Sequence, residues 1–104
     1  MEMIERQLRD ETEKWLERIK KERKNVKANG KRHSDMLKNI DAYISDCEYF
    51  LKENKLILSF EAVIWAWSWM SIGKEIGILK TSEKTRNLRK SEQANFLEKH
   101  EVPE

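Results

Sequence analysis

Cysteine occurs once, at Cys47, so the chain can close no internal disulfide and assemble no cysteine-rich zinc site. Proline occurs once and glycine three times, too few to turn the chain at the intervals a sandwich or barrel requires. The two histidines, His33 and His100, stand far apart, and neither has metal-ligand spacing with another ligand. A bilayer span needs about 20 predominantly apolar residues. Leu56 to Gly73 comes nearest, but Glu61 lies inside it, Ser59, Ser68 and Ser71 add polarity, and the tryptophans do not form belts at two interfaces. No membrane partner is therefore expected. The opening residues Met1 to Arg6 carry acids and lack the apolar run of an export signal, which predicts a cytoplasmic protein.

What is present favours helices. Hydrophobic and charged residues each make up 38% of the 104 residues, a balance that suits helices with one apolar stripe and a solvated back. The length fits a single domain able to bury a modest core. The expected fold class is all-α: a short bundle around an antiparallel αα-hairpin, with three main helices over residues 1–80. Residues 81–104 are a charged C-terminal tail or a weakly docked fourth helix, with Leu88, Phe96, Leu97 and Val102 as their large apolar residues.

From Ile4 to Val26 the chain reads as a charged helix with a narrow stripe at Leu8, Trp15, Ile19 and Val26, interrupted by Thr12 and Glu22. Glu2 with Arg6, Glu5 with Arg9, Asp10 with Lys14 and Glu17 with Lys21 are acid-before-base pairs at i,i+4 that support it. Asn29-Gly30 is a natural stop. Ser34 is a good N-cap for a second helix whose apolar positions, Met36, Leu37, Ile40, Tyr43, Ile44, Cys47, Phe50 and Leu51, form the clearest periodicity in the chain. Asn54 suits a left-handed turn at Glu53-Asn54-Lys55, and so short a connection predicts antiparallel neighbours. In the third helix, expected to run towards Leu79, Leu56, Phe60, Val63, Ile64, Trp67 and Met70 gather on one face. Leu58, Trp65, Trp69, Ile72 and Ile76 gather on another, with the small residues Ser59, Ala62, Ala66, Gly73 and Gly77 between them.

The stretch Tyr43-Ile44-Ser45-Asp46-Cys47-Glu48-Tyr49-Phe50-Leu51, followed by Ser59-Phe60-Glu61-Ala62-Val63-Ile64 and the core Trp65-Ala66-Trp67-Ser68-Trp69, resembles a family of small archaeal helical proteins known only as a domain of unknown function. The trailing Gly73-Lys74-Glu75-Ile76-Gly77-Ile78-Leu79 is similar to the family's glycine pattern, and the resemblance covers roughly residues 34–79. The family tends to carry glycine where Ser68 stands, an acid where Ser71 stands and glycine where Asn54 stands. The resemblance implies a short helical bundle with no established activity.

No catalytic constellation emerges. Acyl transfer needs a nucleophile, a base and an oxyanion site, but Cys47 lies inside an apolar stripe, where a free thiol packs as a small hydrophobe. Asp41, Asp46 and Glu48 read as a solvated face, because the Glu-x-x-His signature of bundle metal sites is absent. No cofactor, no metal and no enzymatic activity are expected. The charge is uneven: residues 20–32 hold seven bases, Lys20, Lys21, Arg23, Lys24, Lys27, Lys31 and Arg32, against one acid, for a local +6. Such a block either contacts phosphates or compensates a helix dipole. The expected role is a non-catalytic interaction module that self-associates through the third helix, with Ala62, Trp65, Ala66, Trp69, Gly73 and Gly77 as its interface. The alternative is weak, sequence-independent nucleic-acid binding through the seven bases.

Overall fold

The structure, a computed structural model, describes residues 2–82. Helix α1 spans Glu2–Arg23, strand β1 Val26–Ala28, helix α2 Ser34–Lys52 after a 3-10 turn at Lys31–His33, helix α3 Leu56–Glu75, and strand β2 Leu79–Thr81. Residues 83–104, including His100 and the four apolar residues assigned to a tail or fourth helix, lie outside the described part.

Helices α2 and α3 form the antiparallel hairpin the short turn requires. Asn54 takes the left-handed conformation at φ 59°, and Cys47 meets Ser59 near the turn while Tyr43 meets Trp65 farther from it. Helix α1 lies beside α3 and runs in the same direction: Trp15 packs on Trp67, and Glu22 pairs with Lys74 one turn or more further along. An up-down-up bundle results. Its core joins Leu16, Ile19 and Val26 with Ile40, Ile44 and Cys47 of α2 and Ala62, Val63, Ala66 and Met70 of α3. Phe50 and Phe60 are only partly buried.

The stripe of α1 is wider than its apolar residues suggest. Thr12 is fully buried and donates to the Leu8 carbonyl at 2.7 Å, so its methyl enters the core while its hydroxyl stays satisfied. Glu22 is buried with the Lys74 ammonium as its ion-pair partner. Both positions continue the seam they were expected to interrupt. On the solvent side Glu17 pairs with Lys21 at 3.7 Å, while Arg9 turns to Glu13 and Lys14 to Glu11.

Two boundaries differ from the sequence reading, for one reason. Helix α1 stops at Arg23 and α3 at Glu75 because Val26–Ala28 and Leu79–Thr81 pair as an antiparallel ribbon, with Val26 opposite Thr81, Lys27 opposite Lys80 and Ala28 opposite Leu79. Gly77, at φ 84°, makes the turn out of α3, and the Ser82 amide donates to the Asn25 carbonyl at 2.7 Å. Ser34 is the first residue of α2 and not its cap; the 3-10 turn leads in, and no side chain caps the helix.

Candidate interaction surface

Helix α3 is apolar almost all round, so its packing decides which face remains outside. The buried seam is Ser59, Ala62, Val63, Ala66, Met70 and Gly73. Small residues allow close approach, and the backbone that approaches belongs to the same chain: Ser59 Oγ donates to the Cys47 carbonyl at 2.7 Å. A Cβ on Gly73 would lie 2.5 Å from Leu79 Cδ1, so strand β2 fills the space the missing side chain leaves.

The expected interface is therefore divided by the fold. Ala62, Ala66 and Gly73 are interior, the two alanines within the shared core and Gly73 under Leu79 of β2, so they are not open to another molecule. Gly77 is exposed in the turn after α3, and Trp69 is half-buried. The Trp69 Nε1 hydrogen points into protein with no acceptor among the described residues. Trp65 remains outside at 53% exposure, its ring stacked on Tyr43 with centroids 6.2 Å apart and planes 19° from parallel.

Around Trp65 lies most of the second face the sequence reading assembled, Leu58, Ile72 and Ile76, with Trp69 turned partly inward and Ile57 and Ile64 joining them. Ile57, Leu58, Ile64, Ile72 and Ile76 are also exposed, Ile57 and Ile76 at 68% and 64%. Leu58, Trp65 and Ile72 recur at intervals of seven, one row of a helix surface. Glu61 and Glu75 are the exposed acids beside them. A shallow groove of about 450 Å³ between α1 and α3 extends the face, lined by Trp15, Ile64, Trp67, Ser68, Ser71 and Ile72. Its floor is rigid: Trp67 Nε1 donates to the Trp15 carbonyl at 3.1 Å, and the two rings meet edge to face at 5.8 Å. Arg18 and Lys14 lie over the Trp15 ring at 5.0 and 5.6 Å. Lys14 and Trp15 both hydrogen-bond the Glu11 carboxylate, lowering its pKa. By length and composition α3 could cross a membrane, but its seam is occupied by the rest of the bundle. The periodicity alone could not choose among the faces of α3; that choice waits on where α1 docks.

The seven bases separate into two sets. Lys20 pairs with Glu48 at 3.0 Å and Lys21 with Glu17. Arg23 holds both oxygens of Asp41, at 2.6 and 3.0 Å, and donates to the Val26 carbonyl at 3.2 Å. Lys24, Lys27 and Lys31 have no ion pair among the described residues, and the Arg32 guanidinium donates to His33 Nε2 at 3.3 Å. Asp41 and Glu48 of α2 are partners of α1, and among the described residues no three metal-ligating side chains converge. Cys47 is fully buried and burial raises its thiol pKa, which keeps the unreactive protonated form.

A three-helix bundle closed at one end by a two-stranded ribbon, with an apolar face left outside, is the class of protein these features define. The chain belongs to the DUF357 family, proteins of unknown function, which it matches over residues 8–79. It is similar to the crystal structure of protein AF1782 from Archaeoglobus fulgidus, of the same family, at 44% identity and a TM-score of 0.71, covering 76% of this chain and 99% of that one. No curated protein matches it. The family match begins at Leu8, ahead of the hairpin that carries the sequence resemblance, so α1 belongs to the shared unit.

Proposed function

We propose that this chain is a non-catalytic helical interaction module that self-associates through the outward face of α3. The observation that carries the reading is the run of exposed Ile57, Leu58, Ile64, Trp65 and Ile72 on one side of α3, continued by Ile76 just past its end. A contiguous apolar surface of this kind on a small bundle is characteristic of a contact site, and a rigid aromatic at its centre is a typical anchor. Two copies of α3 crossing antiparallel about a two-fold axis on the outward face, midway between Trp65 and Ser68, would set Ile57 against Ile76, Leu58 against Glu75, Glu61 against Ile72 and Trp65 against Ser68. No acid then faces an acid, and the small Ser68 leaves room for the indole. The buried Cys47 and the pairing of Asp41 and Glu48 with α1 support a non-catalytic reading.

Trp65 is exposed, so Trp65→Glu leaves the core intact and is expected to give a folded monomer, while the unchanged chain sediments as a dimer. A wild-type chain that stays monomeric at millimolar concentration in analytical ultracentrifugation would reject self-association.

A further inference from the structure

The ribbon end of the molecule collects cations that have no ion-pair partner among the described residues. In the register of the ribbon, Lys27 stands directly opposite Lys80, and both are exposed. The residues on either side point inward: Val26 and Leu79 are buried, and Ala28 and Thr81 are partly so. The outer face of the ribbon therefore consists of two lysines side by side, an arrangement that destabilises a strand pair in isolation. Lys24 precedes β1 at the end of α1, and Lys31 and Arg32 follow it. Asn29 ties this second group to the start of β2, its amide donating to the Ile78 carbonyl at 2.9 Å and its Nδ2 to the Gly77 carbonyl at 2.8 Å.

Helix-dipole compensation accounts for Lys24 at the end of α1 but not for Lys27, Lys80, Lys31 or Arg32. Lys20, Lys21 and Arg23 occupy the last turn of α1, where cations are favourable. Lys31 and Arg32 precede the first turn of α2, where a cation is unfavourable and where no side chain caps the exposed amides. Residues 24–33 and 76–82, which build this end, contain five lysines and arginines and no acid.

We propose that the outer face of the ribbon, Lys27 and Lys80 with Lys24, Lys31 and Arg32 beside them, is a docking surface for the phosphate backbone of a nucleic-acid duplex. The acid-free cluster would neutralise successive phosphates, relieving the repulsion between Lys27 and Lys80. The absence of an aromatic residue within Lys24 to Arg32 disfavours single strands, which are held by stacking. The apolar face of α3 is a separate surface, and this inference does not depend on self-association.

The test is fluorescence anisotropy of the full chain with a short RNA or DNA duplex over a salt series. Five phosphate contacts predict a slope of log K against log salt of about −4.5 for B-DNA. The double variant Lys27→Glu, Lys80→Glu should lower affinity by about 10²-fold or more, as reversal of two contacting charges implies, with helical circular dichroism unchanged. Lys31→Glu with Arg32→Glu, outside the ribbon, should also weaken binding strongly and guards against a ribbon that fails to pair. Lys20→Gln with Lys21→Gln, whose charges are already paired, should have little effect. Three results would overturn the proposal: no duplex binding at low salt, binding insensitive to both reversals, or equally tight binding to phosphatidylserine vesicles.

Discussion

Gly73 shows how a residue's role depends on its neighbour in space. In the helix it would ordinarily cost about 1 kcal/mol relative to alanine, so Gly73→Ala on a free helix would stabilise. Here the added methyl would lie 2.5 Å from Leu79 Cδ1 and 2.7 Å from Cγ, and Leu79 is itself buried. Overpacking of this kind costs about 1–3 kcal/mol and outweighs the propensity gain. Gly73→Ala is therefore expected to lower the urea midpoint; a raised midpoint would show that Leu79 can move aside. The glycine was visible in the sequence as one member of a small strip, but its neighbour was not, since Leu79 meets it only after the chain has turned at Gly77. Thr12 and Glu22 were misjudged similarly. A hydroxyl that bonds its own helix and a carboxylate that finds Lys74 behave as core residues, and polarity alone does not reveal such partners.

At the scale of elements, the second helix was the most legible, because Ile40, Ile44 and Cys47 stand at core spacing and all three are buried. The third was legible as a helix and not as an oriented one. Of the large residues on its first face, Val63 and Met70 are buried in the core, whereas Trp67 faces α1, with its indole nitrogen on the Trp15 carbonyl and its ring against the Trp15 ring. Of the small strip, Ser59 meets α2 and Gly73 meets β2. Trp67 is thus the chief aromatic link between α1 and the hairpin, and Trp67→Ala is expected to cost about 3–5 kcal/mol. The loss should be accompanied by greater protease access to α1. A thermal midpoint unchanged by the substitution would mean that α1 is held by its other contacts, among them Glu22 with Lys74 and Arg23 with Asp41.

In the whole molecule, three helices and their order follow from the periodicity and the short turn, while the two strands do not. Each has three residues, too few to show an alternating pattern, and they exist because each finds the other. Their pairing distinguishes two kinds of contact. The hairpin of α2 and α3 is local and closes a turn of a few residues, whereas Asn29 reaches Gly77 across 48 positions of sequence. Closing that span before the bundle exists carries a loop entropy that the ribbon's few hydrogen bonds cannot offset. In stopped-flow kinetics, Leu79→Ala is therefore expected to accelerate unfolding with little change in the refolding rate, and Val63→Ala, in the hairpin core, to slow refolding. Equal slowing of refolding by both would place the ribbon in the nucleus. In kinetic terms the ribbon is a latch set after the bundle has formed, governing how long the folded state lasts more than how quickly it is reached.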